Sequence, residues 1–247
     1  MYKTPCLEKV IIRVDLASPS FYTQEALPGI VLDAVLPRFP IIEPREVKPI
    51  FEISASSSKA SQATSETHWA LFGRDREKDL LIAPSHFYIE QRRYESYEHL
   101  ESDFVTVFDA LVCAFPDMRA SRFGLRYVNK IQPEDESDPL NWEGLINKSM
   151  LAIFDIPRKP ESICRAFHTL ARRIGDGMLT MQYGMHNPDF PATIRQKVFV
   201  IDIDASYQGA LTPKEVKGLS GEYHTIIRDA FEDAIQDALR EMMGVVT

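Results

Sequence analysis

The sequence is poor in residues that staple or anchor a chain. Its three cysteines, Cys6, Cys113 and Cys164, lie far apart among apolar neighbours. An odd, scattered set excludes a disulfide framework and a thiolate zinc site, and it fits a reducing compartment. No stretch approaches the ~18 consecutive apolar residues of a membrane span. The opening MYKTPCLEKVIIRVDL lacks the apolar core of an export signal, so the expectation is a cytoplasmic protein with no membrane partner. Cations are short as well: 28 Lys and Arg against 36 Asp and Glu leave a charge of −8. Counterion release needs an excess of basic side chains, so this charge argues against nucleic acid as a partner. Six histidines form no H-x-H or HExxH, and neither GxxxxGK[ST], GxGxxG nor GxSxG occurs. Pro116-Asp117 is not followed by the acidic-x-Lys of the PD-(D/E)xK nucleases.

What is present is ordinary globular composition, 45% hydrophobic and 26% charged over 247 residues, enough for a sizeable core. Val10, Ile12, Val14 and Leu16 alternate with Ile11, Arg13 and Asp15, a period-2 strand over 8–16. A short apolar helix follows over 27–36, ended by Pro37. Phe51, Ile53 and Ala55 alternate as a strand before the polar loop SSSKASQATSET. Runs at 69–74, 80–83 and 86–92 read as an antiparallel meander. Ser96 caps a helix whose Leu100, Phe104, Val107, Phe108 and Leu111 share one face.

The second half repeats this order. A strand over 121–131 is followed by a helix opening at Asp138-Pro139 with Trp142, Leu145, Ile146 and Leu151 on its apolar side. Runs at 163–174 and 178–186 join across Gly175-Asp176-Gly177, a hairpin signal, and a third strand covers 198–205. Thr212-Pro213-Lys214-Glu215 is a capping box, and a final helix runs over 223–243. The fold class is therefore α+β, a tandem duplication of a β-α-β(3–4)-α unit. Residues 1–118 and 119–247 form two repeats packed as one structural unit, with long helices on one face of antiparallel sheet. This element order resembles that of TATA-binding-protein-like and helix-grip folds, a likeness that implies no function.

Four stretches, CLEKVIIRVDL, FGLRYVNKI at 123–131, VFVIDIDAS at 198–206 and the terminal EYHTIIRDAFEDAIQDALREMMG, resemble a sporadically distributed bacterial and archaeal family of uncharacterised proteins of about 250 residues. The resemblance spans nearly the whole chain and implies no catalytic residue. Its patchy distribution implies a setting in a defence or stress-response locus.

Two constellations stand out chemically. Asp202 and Asp204 lie two apart on a strand and point to one face, as two carboxylates must to share Mg²⁺ or another divalent cation; pairing to arginines on neighbouring strands is the simpler reading. Arg122, Arg126 and Lys130 share one face of their strand, either as partners for those carboxylates or as a basic surface for a ligand or partner. His168 and His186 are placed within a few residues of each other across the hairpin, from which His186 would approach the aspartates as a general base.

The leading functional reading is a non-enzymatic binding or regulatory module engaging another protein, encoded nearby, with no catalytic residue and no cofactor. The alternative is a divalent-metal-dependent phosphoesterase or nuclease with Asp202 and Asp204 as ligands, His186 as base and Arg126 on the phosphate. A second alternative is recognition of a nucleic-acid segment by the basic strand 122–130.

Overall fold

The structure, a computed structural model, describes residues 2–17, 26–47, 66–133 and 138–244. The chain is α+β. Its strands are β1 (Leu7–Leu16), β2 (Ile41–Val47), β3 (Glu66–Phe72), β4 (Lys78–Ala83), β5 (His86–Gln91), β6 (Ala120–Ile131), β7 (Ala166–Ile174), β8 (Gly177–Met185) and β9 (Phe199–Leu211). Five α-helices accompany them among the described residues: α1 (Gly29–Val35), α2 (Tyr97–Ala114), α3 (Lys148–Leu151), α4 (Pro213–Ala234) and α5 (Asp237–Met243). The strands form one large antiparallel sheet in the order β2-β3-β4-β5-β1-β6-β9-β8-β7. None of the described helices is long and apolar enough to cross a membrane.

The chain divides into two compact units. One comprises residues 11–123 and 208–218. Its core is aromatic: Phe87, Phe104 and Phe108 stack with ring centroids 5.5–6.2 Å apart, and Phe123 tilts against Phe104 at 6.0 Å. The helical spacing of Leu100, Phe104, Val107, Phe108 and Leu111 is the buried stripe of α2, and each is at most 1% exposed. Ser96 caps that helix by accepting from the His99 amide at 3.3 Å. β2 is a strand that its sequence, interrupted by Pro44, does not announce. A proline lacks the ladder donor, and β2 tolerates one because, among the described residues, it is an edge strand paired with β3 alone. The strand expected over 51–56 and most of the polar loop after it lie outside the described residues.

The other unit comprises residues 1–10, 124–207 and 219–247. Its core holds Trp142, Phe199, Ile201, Tyr223 and Leu239, all nearly inaccessible. β7 and β8 form the expected hairpin, closed by Ile174 opposite Gly177 with Gly175 at φ 57°. Two expectations differ. No helix opens at Asp138; instead the Asp138 and Asn141 carboxyl and amide oxygens accept from the amides of Leu140 (3.0 Å) and Glu143 (3.2 Å). Such local acceptors compete with helical bonding, and the first helical turn comes only at α3. The terminal helix is also not continuous. Asn147 N donates to Ala234 O and Gln236 N donates to Leu145 O, both at 2.9 Å. These bonds, with the Ile146–Ile235 bridge, interrupt the helix between α4 and α5. The capping box is present in the other unit: the Thr212 amide donates to Glu215 Oε2 at 2.7 Å and the Glu215 amide to Thr212 Oγ1 at 3.4 Å. The Thr212 hydroxyl also donates to Glu215 Oε2, at 2.7 Å, and this bond together with that from the Thr212 amide holds the Glu215 carboxyl below its ordinary pKa.

Candidate functional site

In the unit carrying β7, β8 and β9, strand alternation puts Arg126 of β6 and Asp202 of β9 on the face opposite their buried neighbours. Arg126 Nε donates to Asp202 Oδ1 at 2.7 Å and Nη2 donates to Oδ2 at 2.5 Å. Both carboxylate oxygens are thus held by one guanidinium, the bidentate geometry that arginine's planar fork favours. The Asp202 side chain is 9% exposed. Asp204 follows two residues on and lies opposite Thr180, as Asp202 lies opposite Gln182. A Mg²⁺ ion shared by the two aspartates would have to displace the Arg126 fork. Among the described residues no group of three or more His, Cys, Asp or Glu is placed to hold a metal.

In the unit carrying α2, Arg122 faces Asp15 at 3.6 Å, and Asp15 also accepts from Arg13 Nε (2.8 Å) and Nη2 (2.6 Å). Arg122 and Arg126 therefore each face an aspartate. Lys130 is different: it lines a cavity of about 430 Å³ with Glu8, His186, Val198 and Val200. The cavity surrounds an apolar floor with a cation, a carboxylate and an imidazole. Beside it, Lys130 N donates to Cys6 O at 2.7 Å. Burial pushes the Cys6 thiol up to about 11, so it is no ready nucleophile at neutral pH.

His186 does not reach the aspartates. In the β8–β9 register Gly184 lies opposite Val200 and Gln182 opposite Asp202. Continuing it sets His186 about four residues from Asp202, roughly 13 Å at strand rise. Nor does His186 meet His168, which lies opposite Tyr183 and stacks on it with ring centroids 5.2 Å apart. His186 sits edge-on to Phe167 at 6.5 Å.

One buried charge escapes the motif search. Asp103, 2% exposed, accepts from Arg38 Nη1 (2.7 Å), Lys78 Nζ (2.6 Å) and Gln91 Nε2 (3.2 Å). Its sequence signal is position: it falls within the apolar stripe 100-104-107-108-111 of α2, where a carboxylate must find partners. A buried carboxylate met by two cations and an amide is a structural hub that ties α2 to β4 and β5.

The last feature is the free side of β7. Among the described residues this strand ends the sheet order, and on the hairpin it forms with β8 the side chains of Phe167 (38% exposed), Leu170 (52%) and Met178 (38%) stand in solvent. Searches against family models and curated proteins find no match for the chain.

Proposed function

We propose that the chain is a non-enzymatic binding module that engages another protein through the β7–β8 hairpin. The observation that carries this reading is the concentration of large exposed apolar side chains, Phe167, Leu170 and Met178, on one hairpin at the sheet edge. Phe167 and Met178 stand on one face of this hairpin and Leu170 on the other, so the edge presents apolar side chains on both of its faces, more than the single scattered hydrophobics normal on a surface. The charged candidates support the same reading from the other side, because the Asp202 carboxylate is engaged by Arg126 rather than presented to a substrate.

The architecture belongs to this reading as a tandem duplication with TATA-binding-protein-like order. Outward from β1 the strands run β5, β4, β3, β2, and outward from β6 they run β9, β8, β7, each series descending in chain order. Membership of the sporadically distributed family, a cytoplasmic setting and a role in a defence or stress-response locus are part of the same proposal.

The test is co-expression of the tagged chain with the products of neighbouring genes, read by size-exclusion chromatography and native mass spectrometry. A stoichiometric complex that Leu170→Asp disrupts, with the variant's melting temperature unchanged, is the expected result. Absence of a complex with every neighbouring product overturns the proposal.

A further inference from the structure

The β7 edge has a chemistry that specifies its occupant. β7 reads AFHTLARRI, with two arginines and no acidic residue, in a chain whose net charge is −8. Arg172 and Arg173 are exposed, and neither has an ion-pair partner among the described residues. The adjoining strand β8, GMLTMQYGM, carries no charge at all.

Backbone geometry supplies the second element. A two-residue hairpin closes on a hydrogen-bonded pair, here Ile174 and Gly177, and such pairs alternate along an antiparallel ladder. Ile174, Arg172, Leu170 and His168 therefore bond to β8, while Arg173, Ala171, Thr169 and Phe167 direct their N–H and C=O groups to the free edge. An edge of this length without a proline is a template for another strand.

The third element is room beside the strand. A cavity of about 520 Å³ opens along β7, walled by Leu170, Arg172 and Met181 on the strands and by Met150, Ala230 and Asp233 opposite. A strand added to β7 sends alternate side chains to the two faces of the sheet. On one face an apolar residue enters this cavity over Leu170; on the other an acidic residue meets Arg173.

We propose that the β7 edge takes an extended acidic segment of a partner protein as an additional antiparallel or parallel strand, its backbone bonded to residues 167–173 and its alternate apolar residues seated in the Leu170 cavity. This rests on the protein-binding reading above and names the chemistry of the partner. Backbone pairing provides affinity without sequence, and Arg173 and the cavity select the segment.

The probe is a fluorescein-labelled nonapeptide alternating valine with aspartate and glutamate, measured by fluorescence anisotropy against the full chain. Binding is expected, weakened several-fold by Arg173→Glu, because an exposed ion pair becomes a repulsion. Thr169→Pro removes an outward donor that the fold does not use, so it abolishes binding while leaving the melting temperature within a few degrees. An isosequential peptide with lysine in place of the acids is expected not to bind. The inference is overturned if the acidic peptide fails to bind, if Thr169→Pro binds it as well as the parent, or if a nine-nucleotide single-stranded DNA binds more tightly than the peptide. It is overturned equally if the chain is a dimer that Thr169→Pro converts to monomer, since a second copy then occupies the edge. Failure of the peptide alongside a Leu170-dependent complex with a neighbouring gene product sinks this inference and leaves the protein-binding reading standing; failure of both sinks both.

Discussion

Arg126 and Asp202, seventy-six positions apart in sequence, meet as a guanidinium fork on a carboxylate, with both contacts at 2.7 Å or less. The aspartate is nearly buried and the arginine is 44% exposed, so the two ends of the pair respond differently to removal. Arg126→Ala leaves a shielded carboxylate without its cation, at a cost of about 1–3 kcal/mol. Removing both side chains costs less than the sum of the single losses. Urea denaturation of the two single variants and the double variant measures this coupling. A coupling near zero shows that the fork contributes nothing in solution. The same series examines the metal alternative: Mg²⁺ is expected to leave the melting temperature of the parent unchanged, and a rise that Asp202→Asn abolishes would restore the two-aspartate site.

The Asp103 hub behaves as a buried charge with paired partners. Asp103→Asn keeps the shape but strips the charge that Arg38 and Lys78 both contact. Removing one member of a buried ionic set costs about 3–5 kcal/mol, and the exposure of Arg38 places the loss toward the lower end. Asp103→Leu is expected to be no worse than Asp103→Asn if Arg38 and Lys78 swing into solvent. Thermal melts of the two variants distinguish a charge effect from a packing effect.

How far the sequence reaches depends on how local each determinant is. The Thr212–Glu215 box and the Gly175-Asp176 hairpin are set within four residues, and both are legible. The α2 stripe is legible for the same reason, including the oddity of Asp103 within it. The break between α4 and α5 is not, because it is made by Leu145 and Asn147 about ninety positions away. β2 is hidden by Pro44, which only an edge position tolerates. At the candidate site, Arg126 and Asp202 each stand on the expected strand, yet their pairing depends on the neighbourhood of β6 and β9, which no local pattern encodes. The placement of His186 near the aspartates fails by register: the hairpin sets it opposite the end of β9 beyond Val200. The β7 edge is written in the sequence as AFHTLARRI, but that it ends the sheet is a fact of topology alone.

Gly184 holds β7 against β8. Its φ is 134°, and a Cβ added there would lie 2.2 Å from the Ala166 carbonyl oxygen and 3.0 Å from Phe167 Cα. Both contacts are backbone and cannot swing away, and the dihedral is strained for any L side chain. Gly184→Ala is expected to destabilise by on the order of 2–4 kcal/mol and to raise amide exchange across 166–174. Gly218→Ala, where the added methyl meets nothing within 4 Å, is the control and is expected to be neutral or slightly stabilising. Equal behaviour of the two variants would show that β7 is not held at this point.

Tyr223 and Tyr2 give the chain an alkaline signature. Burial, reinforced by Glu222 and by Tyr207, pushes the Tyr223 phenol up to about 12; burial and the hydrogen bond to Glu232 do the same for Tyr2. In the unfolded chain both phenols ionise near 10. Between those values the folded state binds more protons than the unfolded state, so stability falls as pH rises. The contribution is complete below pH about 10 and is lost as pH climbs through about 12. Phenolate absorbance at 295 nm is expected to include late-ionising tyrosines, one of which Tyr223→Phe removes, and that variant's stability is expected to decline less steeply between pH 10 and 12 than the parent's. Full ionisation of every tyrosine near pH 10 in the folded protein would show that Tyr223 is not enclosed as its 1% exposure requires.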